Sequence, residues 1–514
     1  MAIKILWVDD EIELLKPHCL FLEKKGYDTT TMNNATDALE LLNEENFSAI
    51  LLDENMPGMS GLEALTAIKR IRPNTPVVMV TKNEEEHIME EAIGSHIADY
   101  LIKPVNPNQI LLSLKKILDG SKIITEKAVV NYQMEFRNIA MDLMNARDHE
   151  DWTAIYKKLV HWEINLENID DASMLQILND QKADANHQFA RFIEKNYKGW
   201  LNGEDRPELS HTAFNSKVRP HLKDNKTLLL MIDNLRYDQW KVIQPLFQQY
   251  YNQTHEDMYY SILPSATQYA RNAFFAGLLP LEIEKRFPQY WKNDTDEGNK
   301  NEHEIDLLRD NLGRLGLKNL KTKYYKILNS GYEKYVLDEF HNFKNNDLTV
   351  IVYNFIDILS HAKTDNRIVS EMIRNDKTYR SVTQNWFKNS YILDIIKQAA
   401  DNDMRLLITT DHGTIFVKEP SQVVGDRETS TNLRYKLGRQ LQYDEDDVMA
   451  IEKPEEYHLP KVNVSSKYIF AKNDIFLAYP KNYNHYVNYY KNTYQHGGIS
   501  MEEIIIPFVV MENR

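Results

Sequence analysis

The sequence predicts a multidomain α/β protein. Three observations carry that prediction. Strand-like and helix-like segments alternate regularly through residues 1–120, a helical stretch free of glycine and proline follows from residue 121 up to Gly199, and apolar strand-like runs that end in Asp or His return from about Pro207 onward. The expected boundaries are therefore 1–120, 121–206 and 207–514. A chain of 514 residues with 42% hydrophobic and 11% aromatic content is long enough for two to four domains, each with its own core.

In the first segment, Ile3–Val8, Ala49–Leu52 and Val77–Val80 read as strands, and Glu11–Lys24, Gly61–Arg70 and Pro107–Leu118 as helices, a doubly wound parallel sheet of about five strands. Polar groups sit where these strands end: Asp9 and Asp10, Asp53, Thr81, and Lys103 after Asp99–Ile102. Such ends converge at the carboxyl edge of the sheet. Three carboxylates crowded there repel one another unless a hard cation such as Mg²⁺ lies among them, and that cation would also neutralise an incoming phosphoryl group. Asp53 is the expected nucleophile, with Thr81 donating to one phosphoryl oxygen and Lys103 placing a point charge at another. The motifs Val8-Asp9-Asp10, Asp53-Glu54-Asn55-Met56-Pro57-Gly58 and Lys103-Pro104 resemble the receiver domain of response regulators over the whole of residues 1–120. The resemblance implies Mg²⁺ held by Asp9, Asp10, Asp53 and Asn55, phosphorylation on Asp53, a cis Lys103–Pro104 peptide, and Tyr100 as the switch aromatic that moves with Thr81. Lys82 departs from the family's usual small residue, and a long side chain at that position is expected to restrict access to Asp53.

Residues 121–206 repeat Trp152, Ile155, Tyr156 and Leu159 at helical spacing, and Glu126–Arg147 and Ala172–Tyr197 are also helix-like. Three to four helices are expected, as a spacer that couples domains. No helix-turn-helix with a basic recognition face is visible.

In residues 207–514, Thr227–Ile232 ends in Asp233, Leu348–Tyr353 leads into Asp357 and His361, and Leu406–Thr410 ends in Asp411 and His412. Ile504–Val510 follows His496-Gly497-Gly498. Asp357 and His361 are four apart, so a helix from Phe355 would present both on one face. Three Asp and three His, each beside a strand end or a glycine turn, suffice for two metal ions with mixed shells. The stretch Pro264-Ser265-Ala266-Thr267 precedes a helix-like run, where a hydroxyl meets free backbone N–H groups and the positive end of the helix dipole. A Ser or Thr there also serves as an ordinary N-cap.

Together, Ile232-Asp233-Asn234-Leu235-Arg236, Pro264-Ser265-Ala266-Thr267, Asp357-Ile358-Leu359-Ser360-His361, Thr410-Asp411-His412-Gly413 and His496-Gly497-Gly498 resemble the PglZ-type branch of the alkaline phosphatase superfamily. The resemblance implies that Asp357, His361 and His496 hold one Zn²⁺ and Asp233, Asp411 and His412 a second, with Mn²⁺ the other candidate, and that Thr267 is a nucleophile bridging toward the second. Arg271 is either a clamp for a non-bridging phosphoryl oxygen or a surface residue of the following helix. Leu281–Lys326 and Lys418–Asn473 interrupt the strand pattern and are expected to shape the substrate pocket, with Arg434, Lys436 and Arg439 lining it.

Over the whole chain the order of parts resembles PorX-like response regulators: a flavodoxin-like receiver, a helical-bundle linker domain and an alkaline phosphatase-like α/β domain. That resemblance implies a sensor histidine kinase, homodimer formation on phosphorylation, an extracytoplasmic-function sigma factor as partner, and regulation of type IX secretion. The implied activity is metal-dependent phosphoester hydrolysis, with nucleotide or oligonucleotide phosphodiesters as candidate substrates. The alternative is a metal-stabilised module that binds a sigma factor or a secretion component.

Composition narrows the rest. Residues 1–120 carry 20 acidic against 11 basic side chains, −9 of the net −15, which argues against charge-driven binding to DNA. No apolar run approaches the roughly 20 residues that span a bilayer, and Ile3–Val8 begins without a basic flank and cleavage site. A cytoplasmic protein is expected. The single cysteine, Cys19, excludes an internal disulfide and suits a reducing compartment.

Overall fold

The structure is a computed structural model that describes residues 3–82, 97–118, 120–167, 172–222, 226–426 and 429–514. It divides into two compact units, Met1–Asn131 and Tyr132–Arg514.

In the first unit, five strands, β1 (Ile3–Val8), β2 (Tyr27–Met32), β3 (Ala49–Asp53), β4 (Val77–Thr81) and β5 (Asp99–Ile102), form a parallel sheet in the order β2-β1-β3-β4-β5. The alternation of β1 explains why both faces are covered. Leu6 and Val8 join one apolar layer with Leu52 and Met79, whereas Ile5 and Trp7 join the other with Leu51, Val78 and Val80. The helix Gly61–Ile71 starts at a capping box between Ser60 and Glu63. Gly61 is obligatory there, because a Cβ would lie 2.4 Å from the Asp53 carbonyl oxygen.

Long helices follow at Gly120–Asn145, whose residues from Tyr132 onward belong to the second unit, and, within that unit, at His149–Leu166 and Ala172–Leu201. Trp152, Ile155, Tyr156 and Leu159 are all buried, as their spacing requires. The unit's main sheet has six strands: β6 (Thr227–Ile232), β7 (Tyr251–Tyr260), β8 (Thr322–Ile327), β9 (Leu348–Tyr353), β10 (Arg405–Thr409) and the C-terminal strand Ile505–Asn513. Across the sheet the order is β7, C-terminal strand, β10, β6, β9, β8. The last four are parallel, and the C-terminal strand runs antiparallel to β7 and β10. Every residue of β6 and β9 is buried, which is why these strands read as unbroken apolar runs. Each Leu, Ile or Val so placed contributes about 1.5–3 kcal/mol. The interruption at Leu281–Lys326 is not wholly an excursion, since it ends in β8, the edge strand of this sheet. Among the described residues no helix is long and apolar enough to cross a membrane.

Candidate metal centre

Three neighbouring parallel strands of the second unit deliver their polar ends to one edge. β6 leads into Asp233. β9 leads through Asn354 into the helix Phe355–Asp365, which carries Asp357 and His361, and β10 leads into Asp411 and His412. The turn after Asp233 needs Asn234 in a left-handed conformation (φ 67°), which asparagine tolerates, and its backbone N–H reaches Asp411 Oδ1 at 3.3 Å. His496 arrives from the glycine turn before the C-terminal strand. Ser265 fixes that turn by accepting from Gly497 N–H and donating to the Gly498 carbonyl.

The six side chains fall into two groups, Asp357, His361 and His496, and Asp233, Asp411 and His412, in each of which one ligand atom per residue lies within 4.8 Å of the others. Their chemistry fits a pair of divalent cations. Asp357 Oδ1, Asp411 Oδ2 and His496 Nδ1 are buried without a hydrogen-bond partner, which leaves their desolvation incompletely offset. His412 Nδ1 lies 3.0 Å from the Gly413 carbonyl, so the proton belongs on Nδ1 and the Nε2 lone pair is free to bind. Burial, then repulsion from His412 and His361, pushes His496 well below the usual imidazole range, which keeps it neutral as a metal ligand must be. Burial, then the Asp233 charge, pushes Asp357 up to about 7 and also raises Asp411. A cation between the carboxylates would relieve that repulsion.

Thr267 is the first residue of the helix Thr267–Ala276, and its Oγ1 lies 3.0 Å from His412 Nε2 and 3.4 Å from Asp233 Oδ1. Arg271 corrects the clamp reading. Only 1% exposed, its guanidinium is spent on Asp233 Oδ2 at 2.6 Å and Glu304 Oε1 at 2.5 Å, with Asp411 Oδ2 at 3.6 Å. Burial raises Asp233, yet Arg271 and then His412 outweigh it and hold the carboxylate below its ordinary value. Asn354 adds a second donor to Asp233 Oδ2 at 2.6 Å. Asn354 and Glu304 were not foreseen. Asn354 follows β9 directly and could have been suspected from that place, whereas nothing near Glu304 marks it.

A cavity of about 390 Å³ opens beside His361 and His496. Gln268, Asp294, Asn432 and Tyr490 contribute to its wall, so both interrupting regions reach it, and among the described residues no lysine or arginine lines it. The expected basic wall is therefore corrected. Arg434 is buried in a bidentate pair with Glu503, Arg439 pairs with Asp426 at 3.0 Å, and Lys436 sits 4.3 Å over the Tyr479 ring.

In the first unit, Asp9, Asp10 and Asp53 form a third group of this kind. Lys103 Nζ lies 2.7 Å from Asp9 and 3.0 Å from Asp53. Burial raises Asp53 despite Lys103, and the charges of Asp9 and Asp10 add to the rise. Lys103–Pro104 is cis, Tyr100 lies against Thr81, and Asn55 is exposed. Lys82 pairs with Glu11 at 2.6 Å.

Residues 213–511, more than half of the chain, match the BREX system PglZ alkaline phosphatase-like domain. The chain belongs to the PglZ family. Residues 5–115 match the response regulator receiver domain and 122–201 the PorX response regulator linker domain, so PglZ here forms the third part of a PorX-like architecture. The PglZ match puts the effector with a phosphoesterase superfamily whose members commonly bind metals, and the receiver implies a histidine kinase partner. Among curated proteins, the transcriptional regulatory protein SrrA of Staphylococcus aureus is 30% identical over 145 residues, 28% of this chain and 60% of that relative's length. Among solved structures, a CheY-like receiver domain protein from Methanospirillum hungatei is 30% identical, covering 23% of this chain and 96% of its own (TM-score 0.23). Chemotaxis protein CheY4 of Vibrio cholerae is 29% identical, covering 23% and 100% (TM-score 0.22).

Proposed function

We propose that this two-component regulator, phosphorylated on Asp53, carries a PglZ effector that hydrolyses phosphodiesters with Thr267 as nucleophile. The observation that carries the reading is the meeting of two three-ligand groups at one sheet edge, with the Thr267 hydroxyl 3.0 Å from His412 Nε2. Two divalent cations, Zn²⁺ or Mn²⁺, held by Asp357, His361 and His496 and by Asp233, Asp411 and His412, would lower the pKa of the hydroxyl and neutralise charge on the phosphoryl oxygens. Thr267 Oγ1 attacks phosphorus and the bond to the leaving alcohol breaks. Backbone N–H groups at the start of the helix Thr267–Ala276 face the phosphoryl oxygens. Water then cleaves the phosphothreonine and restores the hydroxyl. Arg271 keeps Asp233 ionised and oriented throughout.

The absence of lysine and arginine from the described lining of the cavity supports diesters over monoesters as the substrate class. A monoester dianion brings a charge that no described lysine or arginine meets, and Arg271 is already committed to carboxylates. Nucleotide or oligonucleotide phosphodiesters fit that chemistry. The match to the PorX linker supports a role in type IX secretion, with a sensor histidine kinase upstream, a homodimer on phosphorylation and an extracytoplasmic-function sigma factor as partner. The deciding experiment is turnover of bis-p-nitrophenyl phosphate by zinc- or manganese-loaded protein beside Thr267→Ala. Absence of turnover by the fully loaded native protein would reject the hydrolase in favour of a binding module.

A further inference from the structure

The helix Ala172–Leu201 grips the segment that braces the candidate ligands, through two side chains that no local motif marks. Asn186 donates from Nδ2 to Glu502 Oε2 at 2.9 Å and accepts the Met501 backbone N–H at 2.8 Å. One turn earlier on the same helix, Lys182 Nζ lies 3.1 Å from Glu502 Oε1 and 2.9 Å from Glu163 Oε2, with Asp376 at 4.0 Å. Asn186 and Glu502 are at most 5% exposed, so these contacts are shielded from solvent.

What they hold is the short turn Met501–Ile504, and that turn touches both imidazole loops. The Glu503 carbonyl accepts the N–H of Gly413, the residue after His412, at 3.1 Å. Glu503 Oε1 accepts the N–H of Gly498, two residues after His496, at 2.9 Å. Gly413 packs so closely that a Cβ would lie 2.0 Å from the Glu502 carbonyl, so the loop cannot shift independently of this turn. The second hub, Asp376, accepts from Arg236, three residues after Asp233, at 2.6 Å and from the Tyr494 hydroxyl, two residues before His496, at 3.0 Å.

From these contacts we infer that Lys182 and Asn186 are positioning residues: they clamp Glu502 so that His412 and His496 are set to receive metal. The inference rests on the proposed hydrolase for its bearing on activity, but not for its bearing on metal binding. Outer-shell supports of this kind are worth about 10- to 100-fold in metal affinity.

The test uses the full chain, demetallated and titrated with zinc against a chelator, with kcat, KM and melting temperature measured in parallel. Asn186→Ala and Lys182→Met are expected to weaken zinc binding about 10- to 100-fold and to lower kcat with KM nearly unchanged, and Lys182→Arg to recover most of both. The control is Glu167→Ala. Glu167 binds Arg380 in the same buried network but does not touch Glu502, so its loss should lower the melting temperature and spare zinc affinity. Unchanged zinc affinity in both clamp variants, or an equal fall in Glu167→Ala at matched loss of stability, would overturn the inference. If Lys182→Met does not fold, Asn186→Ala decides by the same criterion. A native protein without phosphoesterase activity would sink the hydrolase reading alone, because the zinc titration still decides the positioning role.

Discussion

Replacing Arg271 by Met distinguishes a clamp on substrate from a pin beneath the site. A clamp facing the cavity would lose only substrate affinity and rate, with stability untouched. The geometry requires the opposite order of effects. The guanidinium is 1% exposed and lies within 2.6 Å of both Asp233 and Glu304, so its removal leaves the buried Asp233 facing Asp411 without its main cation, while Glu304 keeps Lys326 at 3.1 Å. Breaking one side of such a buried pair costs about 3–5 kcal/mol, which corresponds to a fall of roughly 4–6 °C in melting temperature for a unit that runs from Tyr132 to Arg514. The size of the fall should depend on metal. Without it, Asp233 has lost its main cation; with zinc bound, part of that charge is met again, so the deficit against the native protein should shrink on loading. The assay is differential scanning calorimetry of native and Arg271→Met protein, each demetallated and zinc-loaded. A variant that melts within 1 °C of the native protein in both states, yet loses kcat/KM, would refute the pin and restore the clamp.

The remaining predictions concern other parts of the chain. Thr267→Ala should keep the fold and most of the metal but lose diesterase activity by orders of magnitude, since a whole reaction path is removed, and Thr267→Ser should retain part of it; native-like rates for the alanine variant would exclude covalent catalysis there. Elemental analysis of zinc-reconstituted protein should give two ions in the effector, and His361→Ala or His496→Ala should remove one preferentially; no more than one ion in the native effector would dismiss the two-metal site. Beryllofluoride should raise the mass seen by light scattering through Asp53, and an equal rise in Asp53→Ala would dissociate dimer formation from phosphorylation. Burial pushes Lys436 down to about 7 against an ordinary 10.5. The unfolded chain therefore binds the extra proton between those values, and stability rises with pH across that window by up to about 1.4 kcal/mol per unit. Lys436→Met should flatten that rise in denaturant titrations at pH 7 and pH 9, and an unaltered slope would mean that Lys436 stays charged.

What the sequence made legible follows from where physical constraints leave local traces. A strand buried on both faces must be apolar throughout and then stop, so β6, β9 and β10 announce both themselves and the residues at their ends, and Asp233, Asp411 and His412 could be named from their place alone. Asp357 and His361 were legible because a helix repeats every 3.6 residues. The side chains that hold the ligands and their loops in place leave no such trace. Arg271 reads as an ordinary helix residue until Glu304, 33 positions away, and Asp233, 38 positions away, close on it. Arg434 looked like a pocket cation because its partner, Glu503, lies 69 positions on, and Asn186 finds Glu502 across 316. A buried charge has to be paired, but the pairing rule constrains only the sum of charges in a volume, not the spacing of residues along the chain. The helical stretch that reads as a plain spacer is for this reason the part most easily underestimated: its apolar stripe shows that it packs, whereas the two polar residues that tie it to the ligand-bearing loops look like solvent-facing ones until the loops are in place.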